Sequence, residues 1–282
     1  HLPPPPGFIL TGNGLSVAGP LARSPEDLEI AMNVLAAPQG QDEIAWSIKL
    51  PKPKVTDITK LKVAVWPEEK SAEVDEEINK LISDTAEDLR SAGAKVETVA
   101  PPFTFDEVDD LYSKLVHPIM SAGGDKETLA TADALAEELD DSDLSELAKI
   151  TRGVSLRARD YVVNNARRHF IKQKWLKFFE NYDVMLSPVC AVTAFKHNHD
   201  PLIERTINVN GKEKQYWHTT IWAGPVVTAN LPSTSTPIGL TSSGLPVNLQ
   251  IIGPYLHDLT CIEAAKMIRD LRGGFRIPPN FQ

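Results

Sequence analysis

Residues 231–253, with the sequence LPSTSTPIGLTSSGLPVNLQIIG, constrain the fold more than any other stretch of the chain. The first half is rich in Ser, Thr and Ile, and the second half alternates, with Leu249 and Ile251 on one face; both patterns are typical of β-strands. Gly244 and Pro246 lie between the halves, where glycine adopts a positive φ and proline fixes the start of the second strand. We therefore expect two strands joined by a turn in the core of a sheet.

Residues 60–102 carry the pattern of a βαβ unit. Residues 61–66 alternate as a strand, residues 74–92 place their apolar side chains on one helical face, and residues 95–99 alternate again. Two strands connected by a helix in one sheet run parallel with a right-handed crossover. The fold class predicted from this unit is α/β.

Several helices surround this unit in the prediction. Ser24 is a good N-cap, Pro25 suits the first helical position and Asp27 supplies a capping-box acid, so a helix is expected there. Residues 103–145 are predicted to be mostly helical and acidic. Residues 151–181 are predicted to form the longest single helix, with one core side and one solvated side.

The last third of the chain is predicted to hold core strands and a final helix. Residues 184–186 are apolar and indicate a buried strand, whereas the polar residues 194–215 indicate a loop with a small hairpin turn at Asn210 and Gly211. The aromatic residues that follow either form a substrate wall or belong to the core. A final amphipathic helix is expected to begin near Asp258.

Composition excludes several functional classes. The net charge of −9 argues against a nucleic-acid partner, because such partners require clustered basic charge. No apolar run approaches the roughly 18 residues that a membrane span needs, so no membrane partner is expected. Cys190 and Cys261 are too few for a disulfide framework, which favours a reducing, cytoplasmic compartment.

Familiar catalytic and ligand-binding motifs are not found. Gly12, Gly14 and Gly19 lack the spacing and the preceding strand of a dinucleotide fingerprint, and no G-x-S-x-G nucleophile elbow occurs. His197 and His199 would suit a metal, but their loop context and the lack of a convincing third ligand favour an ordinary loop. No metal and no cofactor are therefore predicted.

Three separated blocks resemble one known family. They are GPLARS at residues 19–24, YDVMLSPV at residues 182–189 and GLPVNLQIIGPY at residues 244–255, and together they are similar to the amidase signature family of amide-bond hydrolases. Asn248, where glycine is usual, and Pro225 depart from the pattern and put details of the substrate pocket in doubt.

The resemblance implies a mixed β-sheet flanked by helices, as the C-terminal portion of the amidase signature fold. All of residues 1–282 would then form one domain. Its expected segments are a leading segment with a helix at residues 1–59, the βαβ unit at residues 60–102, a helical cover at residues 103–181, and core strands with the final helix at residues 182–282.

The resemblance also implies a chemistry whose reacting groups are not found in this sequence. The family uses a nucleophilic serine, a second serine in a cis peptide and a lysine base, and neither motif that carries them occurs here. Residues 1–7 resemble the stretch that follows the catalytic serine. The catalytic residues are therefore expected upstream of His1, in a missing N-terminal segment that would act as a partner, and the chain alone is expected to be inactive.

The expected ligand is a small-molecule amide, which the full enzyme would hydrolyse to acid and ammonia or amine. By position in the family, His218, Ile221 and Trp222 are candidates for substrate binding, and Arg157 is a weaker candidate for a charged substrate end. A homodimer is one possible assembly. The alternatives are a non-catalytic binding module, a protein like the A component of an amidotransferase, and, more weakly, a metal-dependent hydrolase that uses His197 and His199.

Overall fold

The computed structural model describes residues 14–15, 17–38, 40–140 and 142–279. The predictions made for residues 1–7 and for Gly12 lie outside the described residues. Within the described ranges, no helix is both long enough and apolar enough to span a bilayer.

Seven strands form two sheets in the described part of the chain. They are β1 (Lys62–Val65), β2 (Lys95–Thr98), β3 (Val184–Pro188), β4 (Thr206–Val209), β5 (Lys212–Gln215), β6 (Ser233–Leu240) and β7 (Pro246–Ile252). The main sheet has the order β2-β1-β3-β7-β6, and β4 and β5 form a separate pair. Strand β1 runs parallel to β2 and β3, whereas β7 runs antiparallel to β3 and β6. The predicted mixed sheet is confirmed, and the βαβ unit lies beside the strand near Val184.

The strand pair β6–β7 forms as the sequence predicts. Gly244 has a φ of 83° in the turn, and the amide of Thr241 donates to the carbonyl of Leu245 at 2.8 Å. Leu249 and Ile251 are fully buried. The small hairpin β4–β5 is also confirmed, because Asn210 and Gly211 take φ values of 52° and 80° at its turn.

Eight α-helices are described. They are α1 (Pro25–Leu35), α2 (Glu76–Ser91), α3 (Phe105–Ser121), α4 (Lys126–Glu138), α5 (Glu146–Val154), α6 (Ala158–Phe178), α7 (Gly224–Thr228) and α8 (Asp258–Arg272). Ser24 caps α1 as predicted, because its side chain accepts a hydrogen bond from the amide of Asp27 at 3.2 Å. Helices α2 and α8 pack against the sheet and against each other.

The prediction of one long helix over residues 151–181 is wrong. The chain forms α5 and α6 instead, and the two helices are separated at Ser155, Leu156 and Arg157. Ser155 closes α5 through its amide, which donates to Thr151, and Arg157 has the extended backbone of an N-cap, with φ −68° and ψ 144°. Because of this break, α5 changes direction and packs on α3 and α4. The helical period of the sequence does not indicate such tertiary packing.

An aromatic cluster joins the sheet to the helical cover. Trp66, at the end of β1, packs against Trp222 and Phe105 with ring centroids 5.0 Å and 5.6 Å apart. Phe103 and Trp175 extend the cluster, with centroids 5.3 Å apart. These rings fix α3, α6 and the segment before α7 relative to the carboxyl end of β1. The candidate site lies on the outer side of this cluster.

Candidate functional site

A cavity of about 190 Å³ lies between α3, α5 and residues 216–223, a 3₁₀-helical segment that we call the 216–223 segment. Its polar border is formed by Asp109, Ser113, His117, Glu146, Lys149 and His218. Helix α3 brings Asp109, Ser113 and His117 to one face, because they are spaced four residues apart. Tyr112 and Trp217 add aromatic walls.

The 216–223 segment is held in place by two side chains that reach the turn after β1. The imidazole Nε2 of His218 is 2.8 Å from the carbonyl oxygen of Glu73, and the indole Nε1 of Trp222 donates to the carbonyl of Ala72 at 3.1 Å. The preceding hairpin is tied to the same turn, since Lys212 and Lys214 lie 2.9 Å and 3.4 Å from the Glu73 carboxylate. Hydrogen bonds from Lys212 and Asn210 lower the pKa of Glu73 to about 2. One cavity wall is therefore anchored to the sheet.

Both histidines of the cavity have their tautomer set by a backbone carbonyl. His117 Nδ1 lies 2.9 Å from the carbonyl oxygen of Ser113, and a carbonyl only accepts, so Nδ1 carries the proton. The same argument places the proton of His218 on Nε2, opposite Glu73. Burial lowers the pKa of each imidazole below its ordinary value of 6.5, so the neutral form predominates at pH 7. Nε2 of His117 and Nδ1 of His218 are then hydrogen-bond acceptors.

Ser113 and His117 do not form a nucleophile and base. The Ser113 hydroxyl oxygen is 3.0 Å from Nδ1 of His117, a distance that suits such a pair. However, the proton of Nδ1 is directed to the Ser113 carbonyl, so that nitrogen has no lone pair with which to accept the hydroxyl proton. Ser113 is also only 5% exposed. This pair supports the helix and the histidine tautomer.

Two carboxyl groups give the cavity its electrostatic character. Asp109 forms an ion pair with Lys149, with 2.6 Å between the carboxylate oxygen and Nζ. Burial raises the pKa of Glu146 to about 7, and the negative charge of Asp109 adds to this effect while Lys149 opposes it. Glu146 is therefore about half protonated at neutral pH.

We expect Glu146→Gln to stabilise the protein at pH 8 but not at pH 4. The folded-state pKa of Glu146 lies above its ordinary value of 4.5, so its contribution to stability is fully present below pH 4.5 and is lost as the pH rises through about 7. Because the side chain is partly exposed, the gain at pH 8 is about 1 kcal/mol after solvent screening. Urea unfolding at both pH values measures it.

Glu137→Gln, which changes an exposed acid of α4, is the matched control. It should leave the difference in unfolding free energy between pH 4 and pH 8 as in the wild type. An equal gain for both variants would contradict the assigned environment of Glu146.

The structure places the four sequence-predicted site residues in different surroundings. His218 and Ile221 border the cavity. Trp222 is 1% exposed and lies behind them in the aromatic cluster. Arg157 is exposed at the N-terminus of α6 and does not border the cavity. Contact between any of them and a substrate stays a prediction.

Sequence reasoning missed the polar residues of α3 and α5. The sequence does indicate that Asp109, Ser113 and His117 share one helix face, because they are spaced four residues apart. The approach of Glu146 and Lys149 depends on how α5 packs on α3, and no local pattern indicates it. The rings of His197 and His199 lie 6.2 Å apart, and no group of three His, Cys, Asp or Glu side chains suited to a metal is found among the described residues.

Comparison with known proteins identifies the family. The family model described as Amidase matches residues 4–262. The A subunit of glutamyl-tRNA(Gln) amidotransferase from Exiguobacterium sp. is 30% identical to this chain, and the match covers 96% of the chain and 58% of that relative. The chain thus spans a little over half the length of the relatives that it matches.

Two solved structures share the fold. A bacterial aryl acylamidase of the amidase signature enzymes superimposes with a TM-score of 0.61 at 22% identity, over 90% of this chain and 52% of that one. The A subunit of glutamyl-tRNA(Gln) amidotransferase from Thermotoga maritima gives a TM-score of 0.64 at 19% identity, over 89% of this chain and 52% of that one. At these identities the likeness concerns the fold alone. Taken with the match over residues 4–262, it confirms the predicted resemblance: this chain belongs to the amidase signature family.

Proposed function

We propose that this chain forms the scaffold and one pocket wall of an enzyme that cleaves a carboxylic amide to acid and ammonia or amine. The nucleophilic serine, the cis-peptide serine and the lysine base are proposed to belong to polypeptide outside these 282 residues. The observation that carries the proposal is the family match over residues 4–262. It is supported by the share of the relatives' length that the chain spans, 58% for the Exiguobacterium protein.

The cavity fits the role of a substrate wall better than that of a reaction centre. Ser113 and the two histidines are committed to backbone carbonyls or to fixed tautomers, and none of them forms an activated nucleophile. Small-molecule sites combine apolar and aromatic walls with a few fixed polar groups, and Tyr112, Trp217 and Ile221 supply such walls here. In this proposal the chain binds and orients the amide and excludes water. The reacting groups belong to the polypeptide outside these 282 residues.

We expect the isolated chain to hydrolyse no amide and to resist labelling by a fluorophosphonate probe. Co-expression with the polypeptide encoded upstream should give turnover, with the label on a serine outside residues 1–282, because an activated serine is what the probe requires. Mass spectrometry of labelled peptides locates the modified residue. The variant Ser113→Ala is the control and should label as the wild type does, whereas a label on any serine of this chain would contradict the proposal.

An amidotransferase role is the second candidate, favoured by the relatives that match, which are named as the A subunit of glutamyl-tRNA(Gln) amidotransferase. In that case the protein would work with partner subunits, and amide cleavage would be coupled to transfer of the released ammonia. Comparing ammonia release with and without the partner subunits of a bacterial amidotransferase separates the two candidates. A reducing compartment is proposed for either, since Cys190 and Cys261 are free thiols.

A further inference from the structure

We propose that the cavity between α3, α5 and the 216–223 segment binds a protonated amine, so that the enzyme selects amide substrates that carry one. The link to amide substrates rests on the proposed function. The binding of the amine rests only on the side chains that border the cavity.

The first support is the sign of the electrostatic field. The negative charge of Asp109 affects the pKa values of three neighbouring groups. For Tyr112 and Glu146, burial raises the pKa most, and the charge of Asp109 is the second cause that raises it. For His117, burial lowers the pKa, and the charge of Asp109 partly opposes that change. For Glu146 the influence of Asp109 exceeds that of Lys149. At the Glu146 carboxyl group, the local field therefore favours a cation.

The second support is the set of acceptors. An ammonium group has three N–H donors and no acceptor. His117 Nε2 and His218 Nδ1 are both acceptors, because the other nitrogen of each ring donates to a carbonyl. Neither nitrogen has a hydrogen bond with another described residue, although His218 is buried, with 6% of its surface exposed. A carboxylate oxygen of Glu146 provides the third acceptor once that group is ionised.

The third support is the shape and lining of the cavity. About 190 Å³ accommodates a small aromatic or alkyl amine. Tyr112 and Trp217 border the space, and aromatic faces attract cations. A carboxylate ligand fits less well, because Lys149, the lysine on the described border, is already paired with Asp109 at 2.6 Å.

Binding should depend on pH through Glu146. This group shares the cavity with Asp109, Tyr112 and His117 of α3, with Lys149 of its own helix, and with His218 of the 216–223 segment, and burial lowers the pKa of both imidazoles. Helix α4, which also packs on α5, contributes no side chain to the described border of the cavity. Raising the pH from 6 to 8 ionises Glu146, whose pKa is about 7, and leaves an alkylammonium probe protonated.

The test measures binding of benzylammonium and of the neutral benzyl alcohol to the full chain by isothermal titration calorimetry at pH 6 and pH 8. We expect benzylammonium to bind at least about tenfold more tightly than the alcohol at pH 8, and about tenfold more tightly at pH 8 than at pH 6. Glu146→Gln should remove the pH dependence, and Asp109→Asn should weaken binding further. Glu137→Gln on α4 should change neither, and circular dichroism checks that each variant is folded.

Equal affinity for the two probes, no binding of either probe, or an unchanged pH dependence in Glu146→Gln would each overturn the proposal. The test requires no turnover, so it is distinct from the test of the proposed function. If benzylammonium binds but no amide is cleaved with the upstream polypeptide, the proposed function fails and the amine site stands. If amides are cleaved without preference for cationic substrates, and benzylammonium does not bind, only the amine site fails.

Discussion

Replacing Trp222 with alanine is expected to lower the free energy of unfolding by about 3–5 kcal/mol, the usual cost of truncating a large buried aromatic residue. The indole is 1% exposed and packs between Trp66 and Phe105, with ring centroids 5.0 Å and 5.5 Å away. Its Nε1 also donates to the carbonyl of Ala72, so the variant leaves that carbonyl without this donor. Urea unfolding followed by circular dichroism measures the loss.

Two other tryptophans serve as matched controls. Trp46→Ala should leave stability nearly unchanged, because Trp46 is 70% exposed. Trp217→Ala removes a ring that borders the cavity. It should reduce the free energy of benzylammonium binding by more than it reduces the free energy of unfolding. If Trp222→Ala were as stable as wild type but lost ligand binding, Trp222 would be a pocket residue rather than a core residue.

Replacing Gly153 with valine is expected to separate α5 from α3 and to abolish binding in the cavity. A Cβ atom at this position would lie 2.8 Å from Cβ of His117 and 2.9 Å from the carbonyl oxygen of Ser113. That oxygen accepts the hydrogen bond that fixes the His117 tautomer, so the substitution disturbs both the packing and the acceptor. Overpacking of this kind costs about 1–3 kcal/mol, and contact with backbone leaves little room for relief.

Gly123→Val is the control for this prediction, because a Cβ built at that glycine would have no atom within 4 Å beyond the glycine and its two neighbours in the chain. Chemical unfolding gives the stability of both variants, and calorimetry with benzylammonium gives their affinity. Wild-type affinity in Gly153→Val would show that the cavity does not depend on the close contact between α3 and α5.

Local sequence patterns predicted most elements of the sheet and their neighbours. The alternation around Leu249 and Ile251 and the turn at Gly244 predicted β6 and β7, because the period of side chains along a strand is a local property. Capping at Ser24 predicted the start of α1, because helix capping is also a local property of the sequence. The single helix predicted over residues 151–181 failed where tertiary packing overrode a continuous helical pattern.

The aromatic residues before α7 show where local patterns become ambiguous. Trp217 and Trp222 lie five residues apart in one 3₁₀-helical segment, and the sequence left open whether such residues form a pocket wall or the core. The structure places Trp217 at the cavity and Trp222 in the core. The difference depends on which side of the segment faces the sheet, and the hydrogen bonds to Ala72 and Glu73 fix that orientation.

The sequence alone therefore determined the strands, the start of α1, the extent of α2 to within two residues, the start of α8, the acidic net charge and the family, since these depend on neighbouring residues or on short motifs. Only the tertiary structure decided which polar groups meet. Asp109 pairs with Lys149 across 40 positions, and His218 bonds the carbonyl of Glu73 across 145. Such contacts are set by the angles at which helices pack and by close approaches such as that of Gly153 to α3, and neither is encoded in any local period.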